Sequence, residues 1–595
     1  MPEVKLSQKV DYTLIEKAPQ LEEAIEDLKS QTVIALDVEG TSLDPYLAEL
    51  LLVQLATPNK VYLFDVRKLD LSLLKEILED PKILKLAQNA GFDYRMLKAK
   101  LGIESGPFFD TMLAERILTT GYTRENSLEA IAQKYLGIQL EKGVWETFVN
   151  HKNEFTKKQL EYAATDVSVL SPIREVQKRA LADEGLEKIA ALEFRLVPVV
   201  AEMELRGFRI DVEKWREIIK EYEKKRDEVA EKIQNELRPH FRHTQVDLFG
   251  NQAAVVNLNS PIQILEAFRK VGLDLPSTGE EVLRRYNHPL AKLLLEYRGY
   301  EKIITAFGEN LIVKINPKTG RIHPDYMQIG ADTGRFACSN PNLQQIPTDS
   351  LFRRCFIAAE GYKLIVADYS QIELRIMAEL SKDPAFLKAF REGVDLHSLT
   401  ASQMFGIPLE QITKERRFQA KSINFGLMYG RGAKSLAVQL ELSEEEAQRL
   451  LQKYFTTYKK VKVWLDKIGR EAVRKGYSIT IGGRKRYYRD LNSEDPGYER
   501  QQAYVERQGK NHPIQGTSAD MTKLAMVHIY ERIKKEGLEA VPVHTVHDEI
   551  VVEAKEYQAK KVAKLVREEM ERAGEWLLKE VPVKVDVATS NCWEH

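Results

Sequence analysis

The sequence predicts a multidomain chain in which an α/β unit is followed by a larger α+β unit. Three observations carry that expectation. At 595 residues the chain exceeds what one hydrophobic core organises, so two to four domains are expected. Strand and helix patterns alternate up to about residue 175. Long helical patterns take over from about Leu186, and strands return after about residue 330.

Taken in order, TVIALDVEG, LLLVQLA and VYLFDV read as strands, and KILKLAQNAGFDYRMLKAKL reads as a helix. LEKIAALEFRLVPVVAEMEL and WREIIKEYEKKRDEVAEKIQNEL are long helices, so the change of period sets a boundary near 175–190. Polar stretches, VVNLNSPIQ and LPSTGEE, interrupt the helices around 255–281. KLIVADYS is a strand, and a mostly helical region runs from about 385 to 535. VPVHTVHDEIVVEA, Val541 to Ala554, is two short strands meeting at a turn, and a last helix and strand close the chain. There is no internal repeat and no low-complexity linker.

Hydrophobic residues make up 43% and charged residues 30%, a globular rather than disordered or membranous balance. No apolar run approaches the ~18 residues that span a bilayer, and MPEVKLSQKVDYTL lacks the apolar core of a signal peptide. Cys338, Cys355 and Cys592 lie far apart without metal-ligand spacing, which fits a reducing cytoplasm. Lys+Arg (88) nearly cancels Asp+Glu (89). That balance does not advertise a nucleic-acid binder, yet a large enzyme can segregate its charge. RPHFRH (Arg238 to His243) and GGRKRYYRD (Gly482 to Asp490) are local basic clusters, each read alone as a solvated loop. Glu/Lys-rich helices point towards a thermophilic source.

The chemistry lies in the carboxylates. Asp37 and Glu39, two apart on a strand, share one face and repel each other unless a cation intervenes. Asn89 and Asp93 are four apart in a helical pattern, as are Tyr162 and Asp166, so each pair shares a helical face. Each spacing alone is common and structural; their order within one α/β unit is the signal. Four carboxylates and a phenol suit two-metal phosphodiester hydrolysis, with the tyrosine hydroxyl orienting water. A second set lies downstream. Asp368 falls where KLIVADYS runs into a helix, and read alone it is as well a helix N-cap as a metal ligand. Asp548 and Glu549 sit at the hairpin tip, where acids either punctuate a turn or hold a metal. Between them, Arg417, Lys421, Phe425 and Tyr429 recur every four residues along one slanting helical stripe. Cations meet phosphates, and aromatic rings meet a sugar or base.

The first set resembles the DEDD-type 3′–5′ exonucleases of ribonuclease H-like fold, in the version with tyrosine in the third motif. The resemblance covers roughly residues 1–180. It implies metal roles for Asp37, Glu39, Asp93 and Asp166 and a water-orienting role for Tyr162. Val38 and Gly40 stand where a threonine-rich first motif is expected. DYSQIELR, RxxxKxxxFGxxYG and VHDE, in this order, resemble motifs A, B and C of the family A DNA polymerases. TGRFACSNPNLQQIP, DLHSLTA, NHPIQGTSAD and VNLNSPIQ agree with them. The resemblance implies a 3′–5′ exonuclease domain (1–180), thumb (181–330), palm (331–405 and 506–595) and fingers (406–505), a right-hand polymerase without a 5′ flap nuclease.

Residue by residue, the resemblance gives Asp368 and Asp548 two magnesium ions, assisted by the Tyr369 carbonyl, with Glu549 as an outer partner. Manganese is an alternative, since oxygen ligands suit both. Arg417, Lys421 and His397 would clamp the triphosphate, and Gln371 would also face the nucleotide. Phe425 would lie against the sugar and Tyr429 near the templating base. Glu373 would crowd the 2′ position, and Phe at 425 implies poor use of dideoxynucleotides. Arg335, Arg507, Asn511, Gln515 and His547 would contact primer–template DNA. TGRFAC, Gln345 and the short NCWEH ending depart from the family pattern without removing a ligand. The expected protein is a monomer acting on DNA and deoxynucleoside triphosphates, with no membrane partner. The alternatives are a ribonuclease D-like exonuclease with a helical binding platform, a non-catalytic nucleic-acid scaffold, and a single-subunit RNA polymerase. The intact second carboxylate set, the paired carboxylate centres and Glu373 argue against them respectively.

Overall fold

The computed structural model describes residues 10–241, 256–347, 350–428, 432–440 and 442–594. The N-terminal unit is a six-stranded mixed sheet in the order β1-β4-β3-β2-β5-β6, made of Thr13–Ile15 (β1), Val33–Gly40 (β2), Leu50–Ala56 (β3), Val61–Asp65 (β4), Leu84–Ala87 (β5) and Phe108–Asp110 (β6). Strands β2, β3 and β4 pair antiparallel, and β1, β5 and β6 join in parallel. Helix α1 (Ala90–Leu101) follows β5, α2 (Thr111–Thr119) follows β6, and the long α3 (Lys157–Asp183) crosses the sheet. A capping box starts α3: Thr156 accepts from the Gln159 amide, and Gln159 answers.

One expectation needs correcting. KILKLA is not the start of a helix; it is strand β5. Its lysine, Lys85, is buried because its ammonium donates to the carbonyls of Ile77, Asp80 and Ile83. Asn89 then turns the chain with a left-handed φ of 62°, so it precedes α1 and does not share a helical face with Asp93.

Helix α4 (Glu187–Arg206) belongs to two cores at once. Ile189, Ala190, Val197 and Ala201 pack into the N-terminal core, while Leu196, Val199, Val200 and Met203 pack into the larger C-terminal one. The next helix, α5 (Val212–Leu237), pairs with α6 (Pro289–Phe307), and their far ends form a third, smaller core with residues 256–283.

The C-terminal core surrounds a four-stranded sheet of β7 (Tyr362–Tyr369), β10 (Ala540–Val546), β11 (Glu549–Lys555) and β12 (Val585–Ser590), in the order β10-β11-β7-β12 and wholly antiparallel. Helix α7 (Ile372–Ser381) leaves β7 after a left-handed Gln371, and α8 (Leu396–Phe405) and α9 (Lys414–Met428) follow. Helix α10 (Lys459–Lys475), the hairpin β8 (Tyr477–Ile479) and β9 (Lys485–Tyr487), the 38-residue α11 (Tyr498–Lys535) and α12 (Ala559–Leu577) complete the body. Among the described residues no helix is long and apolar enough to cross a membrane.

The two halves are tied by buried charge. Glu193 on α4 pairs with Arg484 of the hairpin and Lys523 of α11, and Asp520 takes the other side of Arg484 at 2.7 Å. All four side chains are at most 2% exposed. Removing one partner from such a set leaves uncompensated charge, typically costing ~3–5 kcal/mol.

Candidate active sites

In the N-terminal unit β2 carries Asp37 and Glu39 on one face and Val38, buried, on the other. Helix α1 brings Asp93 and α3 brings Asp166, with Tyr162 one turn earlier donating to Asp166. Asp93 and Asp166 are buried, and Asp93 Oδ1 has no hydrogen-bond partner. Burial pushes Asp37 up to about 7. Burial also raises Glu39, Asp93 and Asp166 well above the ordinary carboxylate range, reinforced in each case by the neighbouring Asp37. Burial and Asp166 raise the Tyr162 phenol, so it keeps its proton. Leu43, Phe92, Trp145 and Val149 line the mouth of the cleft, Leu43 69% and Trp145 46% exposed.

This donor set fits divalent cations: oxygen ligands only, mutually repelling, with an orphaned carboxylate oxygen among them. The most tightly convergent acids among the described residues lie elsewhere, at Glu16, Asp65 and Glu154. There Lys68 reaches the two glutamates at 2.6 and 2.8 Å and Arg67 reaches Asp65 at 2.8 Å, so each of the three acids already has a cationic partner.

The second centre is a product of register. Asp368 near the end of β7 lies opposite Glu549 on β11 and opposite Asp586 on β12. Residues directly opposite in antiparallel strands share a face. Asp548 stands in the turn before β11, next to His547, whose φ of 55° reverses the chain. Burial first, then Asp548, Glu549 and Asp586, push Asp368 up to about 8, against the pull of Arg353. Burial and Glu373 push Asp548 up to about 6, against Arg335. Acids that resist ionising in the absence of a cation are suited to holding one, and the set fits divalent ions here too.

Glu549 is turned to other work. Its carboxylate accepts from Trp593 Nε1 at 2.7 Å and from Arg353 at 3.1 Å, and the Arg353 guanidinium lies 4.3 Å over the Trp593 ring. The chain's last described turn thus supports the site through Trp593, while His595 lies outside the described residues. Reading the sequence missed Arg353, Trp593 and Asp586; only the alternation of VDVATS hinted at the strand that presents Asp586.

Arg417 on α9 is held by Asp395 in a bidentate pair at 2.9 and 3.0 Å. Asp395 also caps α8 through the Ser398 amide and accepts from Gln371 Nε2 at 3.3 Å. Burial acts to raise Asp395, but Arg417 and Ser398 outweigh it and bring it down to about 2. His397 faces Asn424 at 3.1 Å, and burial pushes it down to about 4, a neutral imidazole. Lys421 is exposed one turn beyond Arg417; the Phe425 side chain and all of Tyr429 lie outside the described residues. Glu373 pairs with Arg335 at 2.6 Å. Tyr369 is anchored by its hydroxyl to the Met570 carbonyl. Arg507, Asn511 and Gln515 follow at four-residue steps along α11, Arg507 exposed and Asn511 Oδ1 buried without a partner. The surrounding protein, with Arg335 and Arg353, holds His547 below its ordinary pKa.

Comparison with known proteins agrees with this geometry. Residues 224–595 match the family model of DNA polymerase family A, and residues 12–181 match that of a 3′–5′ exonuclease. DNA polymerase I of Aquifex aeolicus is 34% identical over 621 residues, covering 98% of this chain and all of that one. DNA polymerase I of Pseudomonas aeruginosa is 33% identical over 630 residues, covering all of this chain and 67% of that one. The solved POL domain of Pol1 from M. smegmatis, in complex with DNA primer–template and dNTP, superposes with a TM-score of 0.85. It is 28% identical and covers 98% of this chain and 99% of that one. Domains of both kinds use divalent metals, in keeping with the two carboxylate sets. The chain belongs to DNA polymerase family A and is a DNA-directed DNA polymerase with a 3′–5′ exonuclease domain.

Proposed function

We propose that Asp368 and Asp548, with the Tyr369 carbonyl, form the polymerase centre, and that Asp37, Glu39, Asp93 and Asp166 form the editing centre. The convergence of Asp368 and Asp548 at one end of the β7–β11 pair carries the reading. Two magnesium or manganese ions at each centre would, when bound, lower the pKa of the attacking oxygen and stabilise the leaving one. Glu549 is an outer partner, consistent with its bonds to Arg353 and Trp593.

Arg417 and Lys421 bind the incoming triphosphate as cations. His397, being neutral, contributes a hydrogen bond rather than charge. Gln371, on the turn between β7 and α7, faces the nucleotide. Glu373 crowds the 2′ position and rejects ribonucleotides, Phe425 lies against the sugar, and Tyr429 lies near the templating base. Arg335, Arg507, Asn511, Gln515 and His547 bind primer–template DNA through groups common to all sequences, as a copying enzyme requires. At the editing centre Tyr162 donates its hydrogen bond to Asp166 and orients the attacking water through its phenol oxygen, which accepts.

The domains follow as exonuclease 1–180, thumb 181–330, palm 331–405 and 506–595, and fingers 406–505, with α4 at the hinge of the first two. Supporting the nucleic-acid reading, the similar M. smegmatis domain was solved with primer–template and dNTP. We place the protein as a monomer in a reducing cytoplasm, in keeping with three free cysteines.

The test is an end-labelled recessed primer–template with magnesium, with and without deoxynucleotides, beside Asp548→Ala and Asp37→Ala. The expected result is extension with nucleotides and shortening without them, each variant losing only its own activity. Shortening that survives in Asp37→Ala, or extension that survives in Asp548→Ala, overturns the assignment of that centre.

A further inference from the structure

Strand β3 reads LLLVQLA, and all seven residues are buried. One of them is polar. Gln54 is fully buried, and neither its amide oxygen nor its amide nitrogen has a hydrogen-bond partner. Buried amides are as a rule paired, because an unpaired one forfeits its hydration for nothing. Leucine or methionine would fill this position without that loss.

Position supplies the reason. The β2–β3 register sets Gln54 directly opposite Asp37. Such pairs share a face, with Cβ atoms about 4.5–5.5 Å apart. On the other side of β3 the partner of Gln54 is Leu63, which offers its side chain no polar group. The flanking cross-strand pairs are Ala35 with Ala56 and Glu39 with Leu52. Helix α3 crosses β2, β3 and β4 and brings Asp166 towards Asp37. The side chain directly opposite this amide is therefore an editing carboxylate, and Asp65 of β4, diagonal to it on this face, is already paired with Arg67.

We infer that Gln54 is a positioning residue for the editing centre: its amide donates to Asp37 once a divalent ion draws the carboxylates together. Among the described residues Asp37 forms no ion pair and accepts only the Val38 backbone amide, so a hydrogen bond from Gln54 selects the oxygen presented to the metal. Outer-shell hydrogen bonds of this kind commonly tune metal affinity by about 10–100-fold. The inference rests on the reading of Asp37 as a metal ligand.

The test uses the full chain with Gln54→Met, which keeps length and apolar packing while removing the amide. Manganese binding is followed by the electron paramagnetic resonance signal of the free ion, in an Asp548→Ala background that removes the second centre. Gln54→Met is expected to weaken binding by about 10–100-fold. With Asp548 intact, the magnesium needed for half-maximal primer shortening rises by a similar factor, while primer extension stays at the wild-type rate and reports an intact fold. Manganese affinity within twofold of the parent overturns the inference, even if shortening is slower, because that would be a packing defect alone. Asp37→Ala is run alongside. If it keeps both shortening and tight manganese binding, the reading of the site itself is at fault. If it loses both while Gln54→Met binds normally, only the role of Gln54 falls.

Discussion

The proposed editing centre and the proposed polymerase centre are both carboxylate clusters, but they are built and balanced differently. The first takes its acids from a strand and two helices of one α/β unit. Its pKa values rise through burial and then through the other acids. The second brings Asp368, on a paired strand, beside Asp548 in the turn before the neighbouring strand, and there Arg353 and Arg335 pull against the rise. Two unit charges about 4 Å apart repel by about 4 kcal/mol even at an effective dielectric of 20. A centre relieved by arginines can stay assembled between catalytic cycles. One relieved only by protons or metal depends on its ions for its shape.

Removing the relief from the second centre sharpens this contrast most. In Arg353→Met, Glu549 keeps Trp593 but loses its cation, and the guanidinium no longer covers the indole. Extension is expected to fall by about 10–100-fold, as for other outer-shell partners, with shortening unchanged. Equal loss of both activities would mean that Arg353 supports the whole body rather than one centre.

The next prediction concerns pH in the absence of metal. Asp37 titrates at about 7 in the folded protein, against about 3.9 in an unfolded chain. Between those values the folded state holds a proton that the unfolded state has released. The contribution of Asp37 to stability is therefore greatest below about pH 4, falls as pH rises towards about 7, and is flat beyond. In EDTA, Asp37→Asn should match wild type near pH 4 and exceed it at pH 8 by up to about 4 kcal/mol. Hydrogen exchange of the β2 and β3 amides measures this locally, which suits a chain too large for two-state unfolding. Magnesium should protect the wild-type strands and leave the variant unaffected. A difference already present at pH 4 would assign the effect to packing instead of charge.

A smaller effect is expected where the second centre holds its own cation in reserve. Asp395 grips Arg417, the side chain proposed for the triphosphate. Asparagine caps a helix as well as aspartate does, so Asp395→Asn should spare α8 and release the guanidinium. The nucleotide KM is expected to fall by about two- to fivefold, the scale of one exchanged charge-assisted hydrogen bond. A KM that rises would mean that Asp395 orients Arg417 productively.

How much of this could be read from the sequence depends on whether the signal was local. Asp37 with Glu39, and Tyr162 with Asp166, follow strand and helix periods, and both pairs converge in the fold. The hairpin around Asp548 was legible from its valines and its turn. Strand β5 was not, because three carbonyls around Lys85 hide its charge, and no local pattern reveals them. Arg353, Trp593 and Asp586 meet the second centre only through the pairing and packing of distant segments. The grip of Asp395 on Arg417 was not legible either, since Asp395 caps one helix and Arg417 lies on another.

The last prediction tests whether Gly40 is a defect or an adaptation of the editing centre. It ends β2, one residue after Glu39, where a threonine-rich motif was expected. A Cβ built there would lie 2.6 Å from Met96 Cε and 3.1 Å from the Glu49 carbonyl oxygen. The methionine end is flexible and can move; the carbonyl is backbone and yields less. Met96 lies on α1, one turn after Asp93, so displacing it loads the helix that positions a carboxylate. Gly40→Thr should therefore slow shortening by about two- to tenfold, since small misplacements of reacting groups are amplified in rate. Adding Met96→Ala should return part of that loss while extension stays constant in both variants. If Gly40→Thr shortens primers as fast as wild type or faster, the crowding at Met96 is harmless and the glycine reflects no fit between β2 and α1.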